Sequence, residues 1–275
     1  MKAIKPINLA QICGSLLLGS VLLLTACDRG LKSEDSQLNN QKKSAVKRVD
    51  ADKALQARVD AGLKNLEAGD LQRAMLHLNK AMEWNDKSAE VHNAFALLYR
   101  YEGDVEKEEK HYKLAVKYDG KDAKVRHNYG SFLCTHGRYN EGIKQLKMAA
   151  NDYQYENRVQ SFENLGLCAK KNGDSETATA AFQRVYRIDQ KKPVTVLNLA
   201  ILEYEQGHNQ KAYQWFQLYL GLSRHTAESL WLGIRLERVL GNKDALASYE
   251  LALRRLFPES KEYQLYQSSL GQLGN

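Results

Sequence analysis

Small and large apolar residues recur along this chain at a nearly constant interval of 34 residues. Six glycines mark the interval, with successive spacings of 34, 34, 36, 34 and 34 residues: Gly69, Gly103, Gly137, Gly173, Gly207 and Gly241. Between one glycine and the next lie two segments with apolar residues at helical spacing. Each glycine stands where a tight turn must join two antiparallel helices, a place that favours a residue tolerant of positive φ. The pattern therefore predicts a series of helical hairpins.

Placing each glycine at position 15 of a 34-residue register aligns the copies with one another. Position 24 is large and apolar: Leu78, Tyr112, Leu146, Phe182 and Phe216. Position 8 is small, with Ile234 as the exception: Gly62, Ala96, Gly130, Gly166 and Ala200. Position 20 is mostly small as well: Ala74, Glu108, Gly142, Ala178 and Ala212. Small residues at positions 8 and 20 let two helices approach closely, and the residue at position 24 fills the space beside them. The sixth copy is one residue short after its glycine.

These columns resemble the tetratricopeptide repeat over residues 55–258. The resemblance implies an all-α fold in which six repeats form a right-handed superhelix, because a single hairpin cannot bury its own apolar face. We expect a repeat domain over residues 51–275, with repeats at about 55–88, 89–122, 123–156, 159–192, 193–226 and 227–259. Residues 260–275 are expected to form a helix that caps the last repeat.

Residues 1–26 have the pattern of a secretory signal, with a basic start and an apolar run too short to span a membrane. The sequence Leu24-Thr25-Ala26-Cys27 resembles a bacterial lipobox, which implies cleavage before Cys27 and acylation of that cysteine. The alternative is an ordinary signal with an incidental cysteine. Asp28 resembles the inner-membrane retention signal of enteric bacteria, so the anchor has two candidate membranes.

Residues 27–50 almost lack large apolar side chains, and we predict that they form a flexible tether. The full chain carries a net charge of +7, and loss of the two lysines in the signal leaves about +5, mixed along every helix. That charge is too weak and too dispersed to indicate a nucleic-acid partner.

The first helix of each repeat is expected to face a concave groove through positions 2, 5, 9 and 12. This stripe is apolar in the first repeat, more polar in the middle repeats, and apolar and aromatic in the last two. We predict that nine residues of the stripe bind a partner: Val59, Leu63, Leu66, Asn93, Leu97, Ile201, Tyr204, Trp231 and Arg235. The first-repeat residues suit an amphipathic partner helix, or the chain's own N-terminal segment covers them. Trp231 and Arg235 have the composition of an interface hot spot, or they are buried under the C-terminal helix.

Two cysteines remain in the predicted repeat domain, Cys134 and Cys168, which are 34 residues apart on the first helices of adjacent repeats. That placement suits a disulfide in an oxidising compartment. The alternative is a pair of reduced, buried thiols that act as small hydrophobic residues.

The surroundings of these cysteines, NYGSFLC at 128–134 and NLGLCA at 164–169, occur here on a six-repeat chain with a lipobox. Together they resemble the type IV pilus biogenesis and stability lipoproteins, the pilotin family. The resemblance implies a periplasm-facing adaptor or chaperone, anchored in the outer membrane, that helps the pilus secretin to localise and multimerise and so supports twitching motility. Asp28 is a departure from the pattern of this family, because it resembles a signal for retention in the inner membrane. An alternative of a different class is an adaptor that recruits or regulates a cell-wall hydrolase.

The sequence contains no motif that indicates an enzyme. Its seven histidines have no metal-ligand spacing, and it has no nucleophile elbow or phosphate-binding loop. We therefore expect no catalysis, cofactor, metal, small-molecule substrate or nucleic acid, and a protein as the partner. Asn128, Asn164 and Asn198 recur at position 6, where they either bond the backbone of a bound peptide or stabilise the repeat.

Overall fold

The computed structural model describes residues 24–273, and within them the side chains of residues 38–45 and 49–270. The chain divides into two compact units, Met1–Asp60 and Ala61–Asn275. The predicted signal, apart from its last three residues, lies outside the described residues, as does the side chain of Cys27.

Every regular element within the described residues is a helix. The helices are α1 (Leu24–Glu67), α2 (Leu71–Trp84), α3 (Ala89–Glu102), α4 (Val105–Tyr118), α5 (Ala123–Thr135), α6 (Tyr139–Ala150), α7 (Arg158–Lys171), α8 (Ser175–Ile188), α9 (Pro193–Glu205), α10 (Asn209–Leu220), α11 (Ala227–Leu240), α12 (Lys243–Leu256) and α13 (Lys261–Leu273). From α3 to α12 they pair as the predicted second to sixth repeats require. Within the described part of the chain, no helix combines the length and apolarity needed to cross a membrane.

Residues 27–50, predicted to be a flexible tether, are instead helical and belong to α1. Glycine and proline, which most disfavour a helix, are absent between Leu31 and Ala61. The low apolar content of this segment prevents it from forming a core. It does not prevent a helix, because extending a helix is far easier than nucleating one.

Each hairpin turn is built by a glycine and the polar residue that follows it. The six glycines of the register all have positive φ, between 75° and 82°. After three of them an aspartate caps the next helix. Asp70, Asp104 and Asp174 each accept a hydrogen bond from the backbone N–H three residues ahead. The prediction that these glycines form the turns is confirmed.

The predicted packing of position 8 against position 24 is also present. A Cβ atom added to Gly62 would lie 2.6 Å from Leu78, and one added to Gly166 would lie 2.7 Å from Phe182. Both large side chains are fully buried. A Cβ atom at either glycine would therefore require the facing side chain or its helix to shift.

The sixth repeat departs from the register as we predicted it. Ile234, assigned to position 8, is buried in the core, and its neighbour Gly233 makes the close approach instead. A Cβ on Gly233 would lie 2.9 Å from Tyr249. The connection before α11 is thus one residue shorter than in the other repeats, and Gly241 comes one residue later, so the repeat is displaced rather than truncated.

The C-terminal helix α13 packs against α11, as expected of a cap. Tyr263 and Tyr266 contact the core formed by Leu230, Ile234 and Leu253.

A pair of histidines is enclosed in the second repeat. The Nδ1 atoms of His92 on α3 and His111 on α4 are 3.0 Å apart, so one ring donates a hydrogen bond to the other. His92 Nε2 also contacts the carbonyl oxygen of Asp86 at 3.0 Å. Burial lowers the pKa of both rings, and with the neighbouring His92 it brings the pKa of His111 to about 4.

We expect this pair to make stability depend on pH. Between pH 6.5, the ordinary pKa of histidine, and about 4, the unfolded chain binds protons that the native His111 does not bind. The free energy of unfolding should therefore be highest above pH 6.5 and fall as the pH drops towards 4. We expect a fall of about 1–2 kcal/mol, less than the full pKa shift corresponds to, because solvent screens the partly exposed His111 ring. Urea titrations at pH 7, 6, 5 and 4.5 measure this. His111→Gln should flatten part of the slope, and an unchanged slope in that variant would contradict the assignment.

Candidate protein-binding groove

A groove of about 620 Å³ runs along the first helices of the first four repeats. We call it the N-terminal groove. Its lining residues are Leu63, Leu66, Glu67, Leu97, Arg100, Tyr101, Lys124, His127, Asn128, Tyr155, Asn157 and Gln160. Apolar and aromatic side chains alternate there with amides and two cations, against a single carboxylate. This mixture is typical of surfaces that hold a polypeptide.

The predicted partner-binding residues of the first two repeats divide into two groups. Leu63 and Leu97 are partly exposed and line the N-terminal groove at the predicted positions. Leu66 borders the same groove but is 2% exposed, so its side chain belongs to the core and its assignment to partner binding is corrected. Val59 and Asn93 are 0% and 1% exposed, so neither side chain is available to a partner and this part of the prediction is wrong. The Asn93 side chain instead accepts a hydrogen bond from Asn128 Nδ2 at 3.0 Å. A helical stripe gives the direction of a side chain, but it does not show how much of that side chain is buried.

The position-6 asparagines join neighbouring repeats. Asn128 bonds Asn93 in the preceding repeat, and Asn164 Nδ2 donates to Ser131 Oγ at 3.0 Å. Asn198 Oδ1 accepts from Lys170 Nζ at 2.7 Å. Of the two alternatives left open by the sequence, the structure shows the stabilising one.

His127 forms part of the groove wall and is held by the next repeat. Its Nδ1 atom lies 2.8 Å from Ser161 Oγ. Burial, and secondarily the charge of Arg100, lowers the pKa of His127. The ring is therefore neutral at pH 7, and it presents a polar but uncharged edge to the groove.

Arg100 projects into the groove but is fixed from behind. Its Nε atom donates to Glu108 Oε1 at 2.8 Å, and Nη2 donates to Tyr112 Oη at 2.9 Å. Glu108 occupies the position-20 site that is small in the other repeats, and its side chain is buried. The charge that Arg100 shows to the groove is therefore held in one orientation.

Register columns do not identify two lining residues of the groove, Tyr155 and Asn157. Both lie in the connection between the third and fourth repeats, where the glycine spacing is 36 rather than 34 residues. The insertion is the sequence signal that could have found them. Extra residues in a connection between repeats must lie on the surface, and here they extend the groove wall.

The predicted residues of the last two repeats form a separate cluster. Ile201 is 3% exposed and belongs to the core, which corrects its assignment to a binding surface. Tyr204, Trp231 and Arg235 are half-buried and contact one another through the Arg235 guanidinium. The helix α13 bonds to α11 at Arg238, whose Nη1 atom donates to Ser269 Oγ at 2.9 Å. Trp231 packs against the same core cluster as Tyr263 and Tyr266 of α13.

Cys134 and Cys168 form a disulfide that joins α5 to α7, with their Cα atoms 5.6 Å apart. The predicted pairing is therefore present, and the reduced alternative is not. The disulfide links the third and fourth repeats beside a small pocket of about 180 Å³. Its position fixes the two helices that carry His127 and Gln160.

Comparison with known proteins finds relatives of the repeats and of about four fifths of the chain. The tetratricopeptide repeat model matches residues 89–122 and 159–192, the second and fourth predicted repeats. Type IV pilus assembly protein PilF of Pseudomonas aeruginosa is 35% identical over 217 residues, which cover 79% of this chain and 86% of that protein. An uncharacterized protein of Haemophilus influenzae is 30% identical over 139 residues, which cover 50% of this chain and 78% of that protein.

Solved structures agree with these matches. A structure of Pseudomonas aeruginosa PilF gives a TM-score of 0.72 at 35% identity and covers 80% of this chain and 99% of that chain. PilW, described as a widely conserved type IV pilus biogenesis factor, gives a TM-score of 0.66 at 24% identity, covers 78% and 98% of the two chains, and shows the fold alone. The predicted all-α fold of tetratricopeptide repeats is confirmed, and the chain belongs to the family of the type IV pilus assembly protein PilF.

Proposed function

We propose that this protein is a pilotin, a lipid-anchored adaptor of the periplasm that promotes outer-membrane localisation and multimerisation of the type IV pilus secretin. The observation that carries the proposal is the 35% identity to PilF over 79% of the chain. A repeat scaffold supplies a binding surface rather than a catalytic site. The protein therefore acts by holding another polypeptide.

The N-terminal groove suits a segment of the secretin subunit as its occupant. Leu63 and Leu97 provide apolar contacts, Tyr101 and Tyr155 provide aromatic ones, and Gln160 provides an amide for the backbone or side chains of a partner. An amphipathic helix or an extended segment presents the matching alternation of apolar and polar groups.

The anchor in this proposal is the lipid on Cys27, which places the repeats in the periplasm at the outer membrane. The lipobox-like sequence before Cys27 supports acylation. The disulfide between Cys134 and Cys168 supports an oxidising compartment, because disulfides persist in the periplasm and are rare in the cytosol. Labelling with a radioactive fatty acid and fractionation of the membranes test the anchor and its address.

The function is tested by deleting the gene in its own organism and counting secretin multimers in outer-membrane fractions. We expect the multimers to fall at least about tenfold, and twitching to be lost with them, because a missing adaptor leaves the secretin subunits unassembled. Cell shape is recorded in the same strain. Unchanged multimers, or a defect in cell separation with normal pili, would reject the proposal.

Complementation of the deletion strain then tests the groove. Leu63→Glu and Leu97→Glu each introduce a charge on the groove floor and should fail to restore multimers. Leu76→Glu is the matched control, because Leu76 is 54% exposed on α2 and does not line the groove. Leu66 is unsuitable for this test, since it is 2% exposed and a charge there would damage the fold. Circular dichroism melts of the purified variants separate lost binding from lost structure, and full complementation by both groove variants would exclude the groove.

A further inference from the structure

A second polar feature of the repeats lies between α9 and α11. The guanidinium carbon of Arg235 lies 4.7 Å from the ring centroid of Tyr204 and 5.3 Å from that of Trp231. Tyr204 belongs to the fifth repeat, and Trp231 and Arg235 belong to the sixth. We call these three residues the Arg235 cluster. Tyr204 occupies position 12 of the stripe that faces the concave surface. Because the sixth repeat is displaced by one residue, Trp231 and Arg235 lie one residue beyond the stripe positions, and Arg235 reaches the stripe through its contact with Tyr204.

Arg235 is half-buried, and it lacks the carboxylate partner that a half-buried arginine ordinarily has. Among the described residues, no carboxylate lies within 4.0 Å of its guanidinium, and its buried Nε atom has no hydrogen-bond acceptor. The neighbouring carboxylate of Glu228 is engaged by Lys170, whose Nζ atom lies 3.2 Å away. Arg238, one turn further along α11, does have a carboxylate partner, because its Nη2 atom lies 3.2 Å from Glu250. Arg235 is therefore a partly desolvated cation. Glu205 and Glu228 act on its charge, but neither forms an ion pair with it, and Glu228 is already paired with Lys170.

Burial lowers the pKa of Arg235, although the nearby groups Tyr204, Glu205 and Glu228 act in the opposite direction. A cation that is desolvated without a carboxylate in direct contact raises the energy of the free protein. An anion that arrives from outside relieves that energy, so it is bound more tightly there than at an exposed arginine.

The two rings decide which anion fits. Both rings hold the guanidinium through cation–π contacts, and its Nε atom is buried, so an anion would reach it through the two terminal Nη atoms. A guanidinium edge matches a planar carboxylate with two parallel hydrogen bonds. The rings also offer apolar surface beside that edge, which suits the methylene groups of an acidic side chain.

We propose that Arg235 receives the side-chain carboxylate of an aspartate or glutamate from the polypeptide bound on the concave surface, with Tyr204 and Trp231 packing against its methylene groups. The proposal rests on the proposed function in one respect, that a polypeptide is the ligand. It adds a chemical requirement at the C-terminal repeats, namely an acidic residue in the bound segment.

The test uses the purified full-length protein and an array of N-acetylated dodecapeptides, each synthesised as a matched pair with Glu or Gln at its centre. Every pair is made once with an amidated C-terminus and once with a free one. Among amidated peptides that bind, we expect Glu members to bind about tenfold more tightly than their Gln partners. Arg235→Gln should abolish that preference. Arg184→Gln, which removes the same charge from an exposed position on α8, should retain it.

Three results would overturn the proposal: equal binding of Glu and Gln members, a preference that survives in Arg235→Gln, or a preference confined to peptides with a free C-terminus. The last result would assign Arg235 to a terminal carboxylate instead. Arg235→Lys serves as the second variant where Arg235→Gln melts early, because it keeps the charge but not the paired hydrogen bonds, and it should weaken the preference. Equal binding of the two members leaves the secretin experiments unaffected, so the two proposals fail separately.

Discussion

Replacing Gly142 with alanine is expected to lower the free energy of unfolding by about 2–3 kcal/mol. A loss of stability on this change is unusual, because a glycine in the interior of an ordinary helix is about 1 kcal/mol less favourable than alanine. Gly142 lies on α6, and a Cβ atom added there would lie 2.3 Å from Cys134 Sγ and 2.9 Å from the carbonyl oxygen of Gly130. The disulfide sulfur occupies the space that the position-20 alanine fills in three other repeats.

A thermodynamic cycle tests that explanation. Cys134→Ala with Cys168→Ala should itself destabilise by about 3–4 kcal/mol, because the disulfide closes a loop of 34 residues. In that background Gly142→Ala should be less harmful, since the closest atom has gone and the backbone contacts with the Gly130 oxygen, at 2.9 Å, and the nitrogen of residue 134, at 3.1 Å, remain.

The measurement is urea denaturation of the oxidised protein and the three variants of the cycle. Gly221→Ala is the control, because Gly221 has helical φ and ψ and a Cβ there meets only one backbone oxygen at 3.4 Å. We expect this control to be neutral or slightly stabilising. A Gly142→Ala variant that is as stable as the parent, or equally destabilised with and without the disulfide, would show that the sulfur does not exclude the methyl group.

The fold was predictable because the same pattern of turn glycine, small residue and large apolar residue recurs along the chain. A single small residue that precedes a large one does not identify a helix contact. Gly62 with Leu78 and Gly166 with Phe182 have the same separation in the sequence, and this recurrence indicates that the small residue packs against the large one on the paired helix. The numbering of positions was wrong in the sixth repeat, because it was set by the turn glycine alone. In the sixth repeat Gly241 is displaced by one residue, and the packing column passes through Gly233 instead.

The binding surface was less predictable than the fold. The stripe rule placed Leu63 and Leu97 correctly, because the direction of a side chain on a helix follows from its position. It also placed Val59 and Ile201 on the surface, although both are buried, because sequence spacing does not reveal how deeply a neighbouring element covers a position. Tyr155 was missed because it lies in a connection, where no column exists.

Replacing Arg100 with methionine is expected to destabilise the protein by about 2–3 kcal/mol. Methionine preserves most of the length and apolar contact of the arginine stem but removes its charge. The carboxylate of Glu108, whose side chain is 5% exposed, then loses the guanidinium that bonds it. The estimate lies below the value for a fully buried pair because the Arg100 side chain is 44% exposed.

The other repeats supply the compensating change. Position 20 is alanine at Ala74, Ala178 and Ala212, so Glu108→Ala restores the residue that this packing site usually holds. The double variant, Arg100→Met with Glu108→Ala, should recover stability to within about 1–2 kcal/mol of the parent, because the buried carboxylate is gone. The remaining loss comes from the buried Tyr112 hydroxyl, which no longer accepts a hydrogen bond from Arg100 Nη2.

The same pair of substitutions separates stability from function. Arg100 lines the N-terminal groove, so the double variant folds with the groove changed by the loss of one fixed cation. If that cation contacts the partner, secretin multimers should stay low even though the melting temperature is restored. Denaturation of the four proteins in the cycle, with multimers counted in the complemented strains, measures both effects. A double variant that is no more stable than Arg100→Met alone would show that Glu108 is held by something other than Arg100.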